Sequence, residues 1–497
     1  MLMFSKKYVH SISIQIIFFN CRKYLIMRRL KLLIFLFSGF SIFAQNEGNF
    51  WYFGENAGLD FSTSPPTALS NSAMSTVAGC STVSDSNGNL LFYTNGRLVW
   101  NRNHVLMSNS PSYGSTDTYS QQLIVKDPSS TNTYFILRTF WSDLVPGPAL
   151  DYQIVDMSLD NGLGDIIPIQ NYNHNVQFAT QEKVSAFINS NGNSNWVLTT
   201  YFDYPTLRIY SIKIQNGIID TSTRVTSNFT SVPNYLLSGQ DGILKISKDG
   251  TKLILTDGFK AALFDFNINT GVVTNPIRLS TNSIYNRFYG AEFSPDSSLL
   301  YINGNTDTSS LDCNTTNQRA VLQYDLSMPT GWEANPIVLN NSTLNNVRHG
   351  DLQLAQDGKI YASKNCQASL GAIQSPNVLG QGANYTDNAI MLAPGTTGRI
   401  GLPYLILPSQ ATASLTDNSS TVINMFPNPA SSYINLTATN RLKSATIMDM
   451  NGRMLSQTNF TGNSTDQSIS LENLSSGIYF VTIQSDLGQK VKKLVVE

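Results

Sequence analysis

"SDSNGNLLFYT", Ser84 to Thr94, couples a polar turn to a run of residues that prefer strands. Asp85 and Asn87 can bond their own backbone, Gly88 can take a positive φ, and Leu90 to Thr94 supply side chains for a sheet. The same design recurs five more times: "DPSSTNTYFIL" (127–137), "NSNGNSNWVLT" (189–199), "SKDGTKLILT" (247–256), "SPDSSLLYI" (294–302) and "AQDGKIYAS" (355–363). Gly88 and Gly358 are 270 residues and five intervals apart, a mean period of 54. Seven such units fit between Gln45 and Ser419, and the period suits the blades of a β-propeller. Periodic hairpins are also compatible with a large β-sandwich or a tandem of small ones.

Strand pairs follow most of the turns: "DYQIVDMSLDNGLGD", "LRIYSIKIQNGIID", "AALFDFNINTGVVT" and "AVLQYDLSMPTGW". Apolar residues alternate in three of the four, as at Ile209, Tyr210, Ile212 and Ile214, before a Gly-containing turn. One packed face per strand and four strands per repeat are therefore expected. Only 13% of the residues are charged, and no long stretch has the pattern of an amphipathic helix.

The N-terminus reads as a leader over residues 1–44. "MRRLKLLIFLFSGFSIFAQ" places Arg28, Arg29 and Lys31 before an apolar run that ends at Ala44, the layout of a secretory signal peptide with its start at Met27. Without that leader the chain keeps 25 basic and 33 acidic residues, a net charge of −8. Clustered cations are absent from the body, which argues against nucleic acid or an anionic membrane as the main partner. Cys80, Cys313 and Cys366 remain, an odd number, with a Cys313–Cys366 disulfide or buried free thiols both open.

From Thr421 the pattern changes to "FPNPASSYINL", "SATIMDMNGRMLS", "SISLENLSSGIYFVTIQSD" and "KVKKLVVE". Pro427 and Pro429 mark a rigid entry, Asn451-Gly452 suits a tight hairpin, and Gly477 precedes an apolar run, together describing a small immunoglobulin-like β-sandwich. This tail resembles the type A C-terminal sorting domain of the type IX secretion system. Pro427, Asn428, Pro429, Asn451, Gly452, Gly477, Tyr479 and Lys493 carry the resemblance. It implies export through the type IX machinery to the outside or the outer-membrane surface, with cleavage near residues 410 to 424.

The body has a resemblance of its own. "NFWYFGENAGLDF" (49–61), "GCSTVSDSNGNLLFYTNGRLVWNRNHVLM" (79–107), "YQIVDMSLDNGLGD" (152–165), "AEFSPDSSLLYI" (291–302) and "LGAIQSPN…GLPYL" (370–405) are similar to exported propeller-like proteins of Bacteroidota. Such proteins often occur with gliding-motility or type IX sorting modules. The resemblance implies a cell-surface propeller and no known reaction. Asn95 and Ala383 depart from it, where Asp and Cys are expected.

Local chemistry is sparse. His104, His174 and His349 have no metal-ligand spacing, and no HExxH, CxxC, GxSxG or P-loop is present. Asp85 lacks the alternating acids of a calcium loop, and "SKDGTK" fails the Asp-box spacing. No catalytic residue, metal or cofactor is assigned. Trp100 and Trp196 sit in apolar runs and read as core, which leaves Trp51 and Trp141 as candidates for stacking on a sugar.

The expected architecture is all-β, a seven-bladed β-propeller followed by a small Ig-like β-sandwich. Its divisions are the leader at 1–44, the propeller at 45–410, a linker at 411–420 and the sorting domain at 421–497. The expected role is a secreted or surface platform for binding or adhesion, with a glycan or protein ligand at one end of the central channel. The alternatives are a polysaccharide-acting enzyme with acids at the channel mouth, and a structural motility accessory.

Overall fold

The computed structural model describes residues 46–110, 121–141, 148–168, 180–189, 194–230, 242–280, 285, 287–306, 313, 316–345, 349–406, 423–438, 440–449, 453–472, 474–486 and 488–497. The leader, the linker at 411–420, the cleavage region before residue 423, His174, Asn451 and Gly452 lie outside these residues. The chain divides into two compact units, Met1–Gln410 and Ala411–Glu497. The all-β expectation holds: apart from short 3-10 turns, every regular element among the described residues is a strand.

Among the described residues of the first unit, seven separate antiparallel sheets follow one another, each a meander in chain order. The first (Phe50–Phe53 to Thr67–Leu69) and second (Ser81–Ser84 to Val99–Asn101) have three strands. Four strands make up the third (Gln122–Lys126 to Asp165–Ile166), fourth (Val184–Phe187 to Ile218–Phe229) and fifth (Leu244–Ile246 to Val273–Arg278). The sixth (Arg287–Phe293 to Ile337–Asn345) and seventh (His349–Leu354 to Tyr385–Met391) are also four-stranded.

The repeated turn joins the first strand to the second in sheets two to seven. Its aspartate works as the sequence suggests: Asp85 Oδ1 accepts from the Asn87 and Asn89 amides at 2.9 Å, and Asp296 Oδ1 from Ser298 at 3.0 Å. Gly88, Gly250 and Gly358 hold the left-handed position of the turn, which in the sixth sheet falls to Ser297 at φ 60°. The first sheet lacks this turn and reverses through Gly54, Glu55 and Asn56 instead.

Each apolar core is shared by consecutive sheets. Phe92 and Val99 of the second meet Ile136 and Val155 of the third, and Leu137 and Leu150 of the third meet Val197 and Ile212 of the fourth. Trp196 and Leu198 pack with Leu253 and Phe264, Ile254 and Leu263 with Ile302 and Leu322, and Tyr301 and Val321 with Ile360 and Ala362. Tyr361 and Leu370 of the seventh sheet then meet Trp51 and Leu59 of the first, which also join Tyr93 of the second. The packing therefore closes into a propeller-like ring. Full burial of one Leu, Ile or Phe is worth about 1.5–3 kcal/mol, so these seams dominate cohesion.

Burial on both faces explains where alternation fails. Leu90–Thr94 and Ile360–Lys364 are buried at every position, the first as a nearly continuous apolar run and the second with Ser363 and Lys364 buried as well, whereas outer strands such as Ile218–Phe229 alternate with solvent. Cys313 and Cys366 form a disulfide with Cα atoms 5.6 Å apart, linking the sixth sheet to the seventh, and Cys80 is a buried free thiol. Burial pushes the Cys80 thiol pKa well up, so it stays protonated and packs as a small apolar group.

The second unit pairs a three-stranded sheet (Ile423–Phe426, Tyr433–Ala438, Asp466–Ser470) with a four-stranded one (Leu442–Met448, Met454–Asn459, Gly477–Ser485, Gly488–Val496). Ile434, Leu436 and Ile469 from one sheet and Ala445, Ile447, Val481, Ile483 and Leu494 from the other form one core. A two-sheet sandwich is the result.

Candidate functional site

The first strands of successive sheets bond to one another around a common axis. Ser81 Oγ accepts from the Ile124 amide at 3.2 Å, Gln121 Oε1 from Val184 and Leu244, and Glu292 Oε2 from Leu354 at 2.9 Å. The axis is filled by the chain's own segment Gly398–Ile406. Its path begins where Gly398 donates to the Gln367 carbonyl and Ile400 to Val77, and its Ile400 carbonyl accepts from the Asp351 amide at 2.7 Å.

Tyr404 sits at the centre of this segment, 5% exposed. Its hydroxyl donates to the Leu244 carbonyl at 3.1 Å and accepts from Ser185 Oγ at 2.8 Å. Its amide donates to Cys80 and its carbonyl accepts from Ser81, so three sheets hold one residue. The Lys245 ammonium lies 5.0 Å from the ring centroid and donates to Glu292 at 3.1 Å and to the Leu352 carbonyl at 2.7 Å. Glu292 accepts from Lys245 and from the Phe293 and Leu354 amides, so its carboxyl group is committed to buried partners of the ring.

Two cavities flank the end of the axial segment and share Tyr404, Leu405 and Ile406 as a wall. The smaller, about 50 Å³, lies beside Lys245 and Glu292. The larger, about 340 Å³, opens between the second and third sheets beside the repeated turns. Leu91, Ile124 and Met157 give it an apolar floor, and Glu47, Asp85, Lys126, Asn132 and Tyr134 give it polar groups. Glu47 Oε2 is buried and meets no hydrogen-bond donor among the described residues.

Burial, with the nearby Glu47 and Asp85 charges, pushes the Tyr134 pKa up to about 12, so its hydroxyl remains a donor. Partial burial opposes ionisation of Asp85, but hydrogen bonds from Asn89 and Asn87 hold its carboxyl below the ordinary value. That carboxylate is committed to its turn.

The sequence-derived aromatics fall elsewhere. Trp51 is 0% exposed and packs against Phe61 and Tyr361 at ring separations of 4.7 and 5.6 Å, so it presents no face to a sugar. It lies in the shared core because both faces of its strand are covered. Trp141 ends the strand Thr133–Trp141, and its side chain is outside the described residues. Trp100 and Trp196 are buried, and the Trp196 indole donates to the Ile268 carbonyl. His104 is bound to Asn71 at 2.8 Å and Tyr93 at 3.2 Å. Sequence reasoning missed the axial segment, Glu47 and Lys126; the repeated turn beside Asp85 was the available signal for that end of the ring.

In the second unit the Pro-Asn-Pro motif is a clamp on the last strand. Asn428 Nδ2 donates to the Lys493 carbonyl at 2.8 Å and Asn428 Oδ1 accepts from the Val495 amide at 2.8 Å. Tyr479, 8% exposed, donates its hydroxyl to Ser475 at 2.6 Å, Gly477 opens the strand that pairs with Val496, and Lys493 is exposed. Replacing Asn428 with Ala removes both bonds and is expected to lower the stability of this unit by about 1–2 kcal/mol, read as a lower denaturant midpoint.

Residues 424–497 match the model of the secretion system C-terminal sorting domain. This tail is a type IX sorting domain. The protein is accordingly exported, to the cell surface or beyond it, and the tail engages the type IX machinery. No curated protein matches the chain. Among solved structures, similarity extends to Hsv2 of Kluyveromyces lactis, at 9% identity over 66% of this chain and 90% of that one, with a TM-score of 0.38. The Cps50 (Swd1) β-propeller domain of Myceliophteria thermophila aligns at 10% identity over 64% and 93%, TM-score 0.36. The Dos1 propeller aligns at 10% over 62% and 72%, TM-score 0.33. With scores this low, the ring rests on its own packing.

Proposed function

We propose that the exported protein is a binding platform: a seven-bladed β-propeller over 45–410, a linker at 411–420, and an immunoglobulin-like sorting sandwich removed by cleavage near 410 to 424. The ligand is a saccharide of one or two rings, held in the 340 Å³ cavity beside the axial segment. The observation that carries this reading is the convergence there of an idle Glu47 oxygen, Lys126 and the Tyr134 hydroxyl over an apolar floor. Small-ligand sites combine such a floor with a few placed polar groups, and this volume lies at the lower end of their range, about 300–1,000 Å³.

An enzyme that hydrolyses glycosides needs two free carboxyl groups. Asp85 is committed to its turn, which leaves Glu47 as the uncommitted carboxyl among the described lining residues.

Isothermal calorimetry with a panel of mono- and disaccharides tests the reading. Heat that saturates is expected for at least one saccharide, and Glu47→Gln or Lys126→Ala should weaken that binding about 10- to 150-fold, the loss of one hydrogen bond to a charged group. Heat that continues with time would indicate turnover and overturn the platform reading. Silence across the panel would overturn the saccharide.

A further inference from the structure

The outward face of the sorting sandwich's four-stranded sheet carries a row of apolar residues paired across its strands, with a bulge at Leu455 where the second strand joins it. Met454 pairs with Met448, Met448 with Phe480, and Phe480 with Lys493, so one residue from each strand stands side by side. Met454 is 58% and Phe480 40% exposed, and Ile478, on the same face two residues before Phe480, is 38% exposed. Inward positions of the same strands, Ala445, Ile447, Val481 and Ile483, fill the core, so the outward residues are not needed there.

The face is graded along its strands. Toward the other end, Thr446 pairs with Thr482 and Gln457, and Ser444 pairs with Gln484 and Asn459. A soluble sheet normally exposes polar residues at such positions. Placing methionines and a phenylalanine together on an open face leaves hydrophobic area in water, a feature of protein docking sites.

We propose that the row Met454–Met448–Phe480–Lys493 is the surface by which this tail is read, and that its occupant is a protein of the type IX export machinery presenting an apolar groove with an acidic rim. The tail's assignment as a sorting domain requires a receptor, and the exposed Lys493 at the end of the row calls for an acidic partner. Phe480, in the middle of the row, is the anchor.

The test uses the full chain in its native host, with surface-exposed protein measured by protease accessibility on intact cells. Phe480→Asp and Met454→Asp are each expected to cut the surface fraction at least tenfold, and Lys493→Glu to cut it severalfold. Gln484→Asp, at the polar end of the same face, should export normally. Phe480→Thr, a good strand former, guards against misfolding: thermal unfolding of the purified protein should stay within a few degrees while export falls. Normal export of Phe480→Asp and Phe480→Thr would overturn the proposal, as would equal loss in Gln484→Asp.

Discussion

Replacing Tyr404 with Ala should destabilise the ring by about 3–5 kcal/mol, the range for deleting a large buried aromatic, and should lower the unfolding midpoint of the first unit accordingly. The substitution empties the axis at a residue that the second, fourth and fifth sheets all hold. It also leaves Lys245 without the ring above it and Ser185 without its acceptor. Tyr404→Phe keeps the ring and loses only the hydroxyl's two bonds, so about 1–3 kcal/mol is expected. A companion substitution tests the fit of the backbone: a Cβ at Gly401 would run into the Ala78 carbonyl, so Gly401→Ala should be as damaging as Tyr404→Ala. If both variants unfolded like the parent, the axial segment would be a passive filler and not a cross-brace.

The axial segment illustrates what a sequence can hide. "GLPYL" has no periodicity, and its partners are 160 and 323 residues away, so no window of sequence contains the reason for its burial. The repeated turn is legible for the opposite reason. Its Asp side chains bond amides two to four residues on, and its Gly residues answer a local need for positive φ, so each copy can be read without its neighbours. The tail's identity as a sorting domain was legible because most of its motifs are also local, although the Asn428 clamp reaches 65 residues forward.

Burial was harder to read than strand content. Trp51 looked available because "NFWYFG" gives no sign of which face is inward, and in a ring both faces are. Cys313 and Cys366 were open because pairing depends on Cα separation, here 5.6 Å, across two sheets that sequence alone cannot set side by side. The cavity residues Glu47 and Lys126 escaped notice because neither belongs to a motif. The ring brings residues 47, 85, 126 and 134 to one opening.

Asp351→Asn is expected to stabilise the protein at neutral pH, in contrast to most core substitutions. Asp351 is 4% exposed beside the axis, with Oδ1 accepting from the Leu352 amide at 2.8 Å. Burial pushes its pKa from 3.8 up to about 6, against the opposing attraction of Lys245 and with a further push from Glu292. The folded protein therefore holds this proton to a higher pH than the unfolded chain does. Stability linked to Asp351 is complete below pH 3.8 and lost as pH rises through 6, a difference of at most about 3 kcal/mol. Asn preserves the shape and the accepting oxygen without the charge, so the variant should exceed the parent at pH 7.5 and match it near pH 4. Denaturant unfolding at both values checks this. Equal stability at pH 7.5 would mean that Lys245, already shared with Glu292, neutralises Asp351 as well, and that the axis holds one cation balanced against two acids without strain.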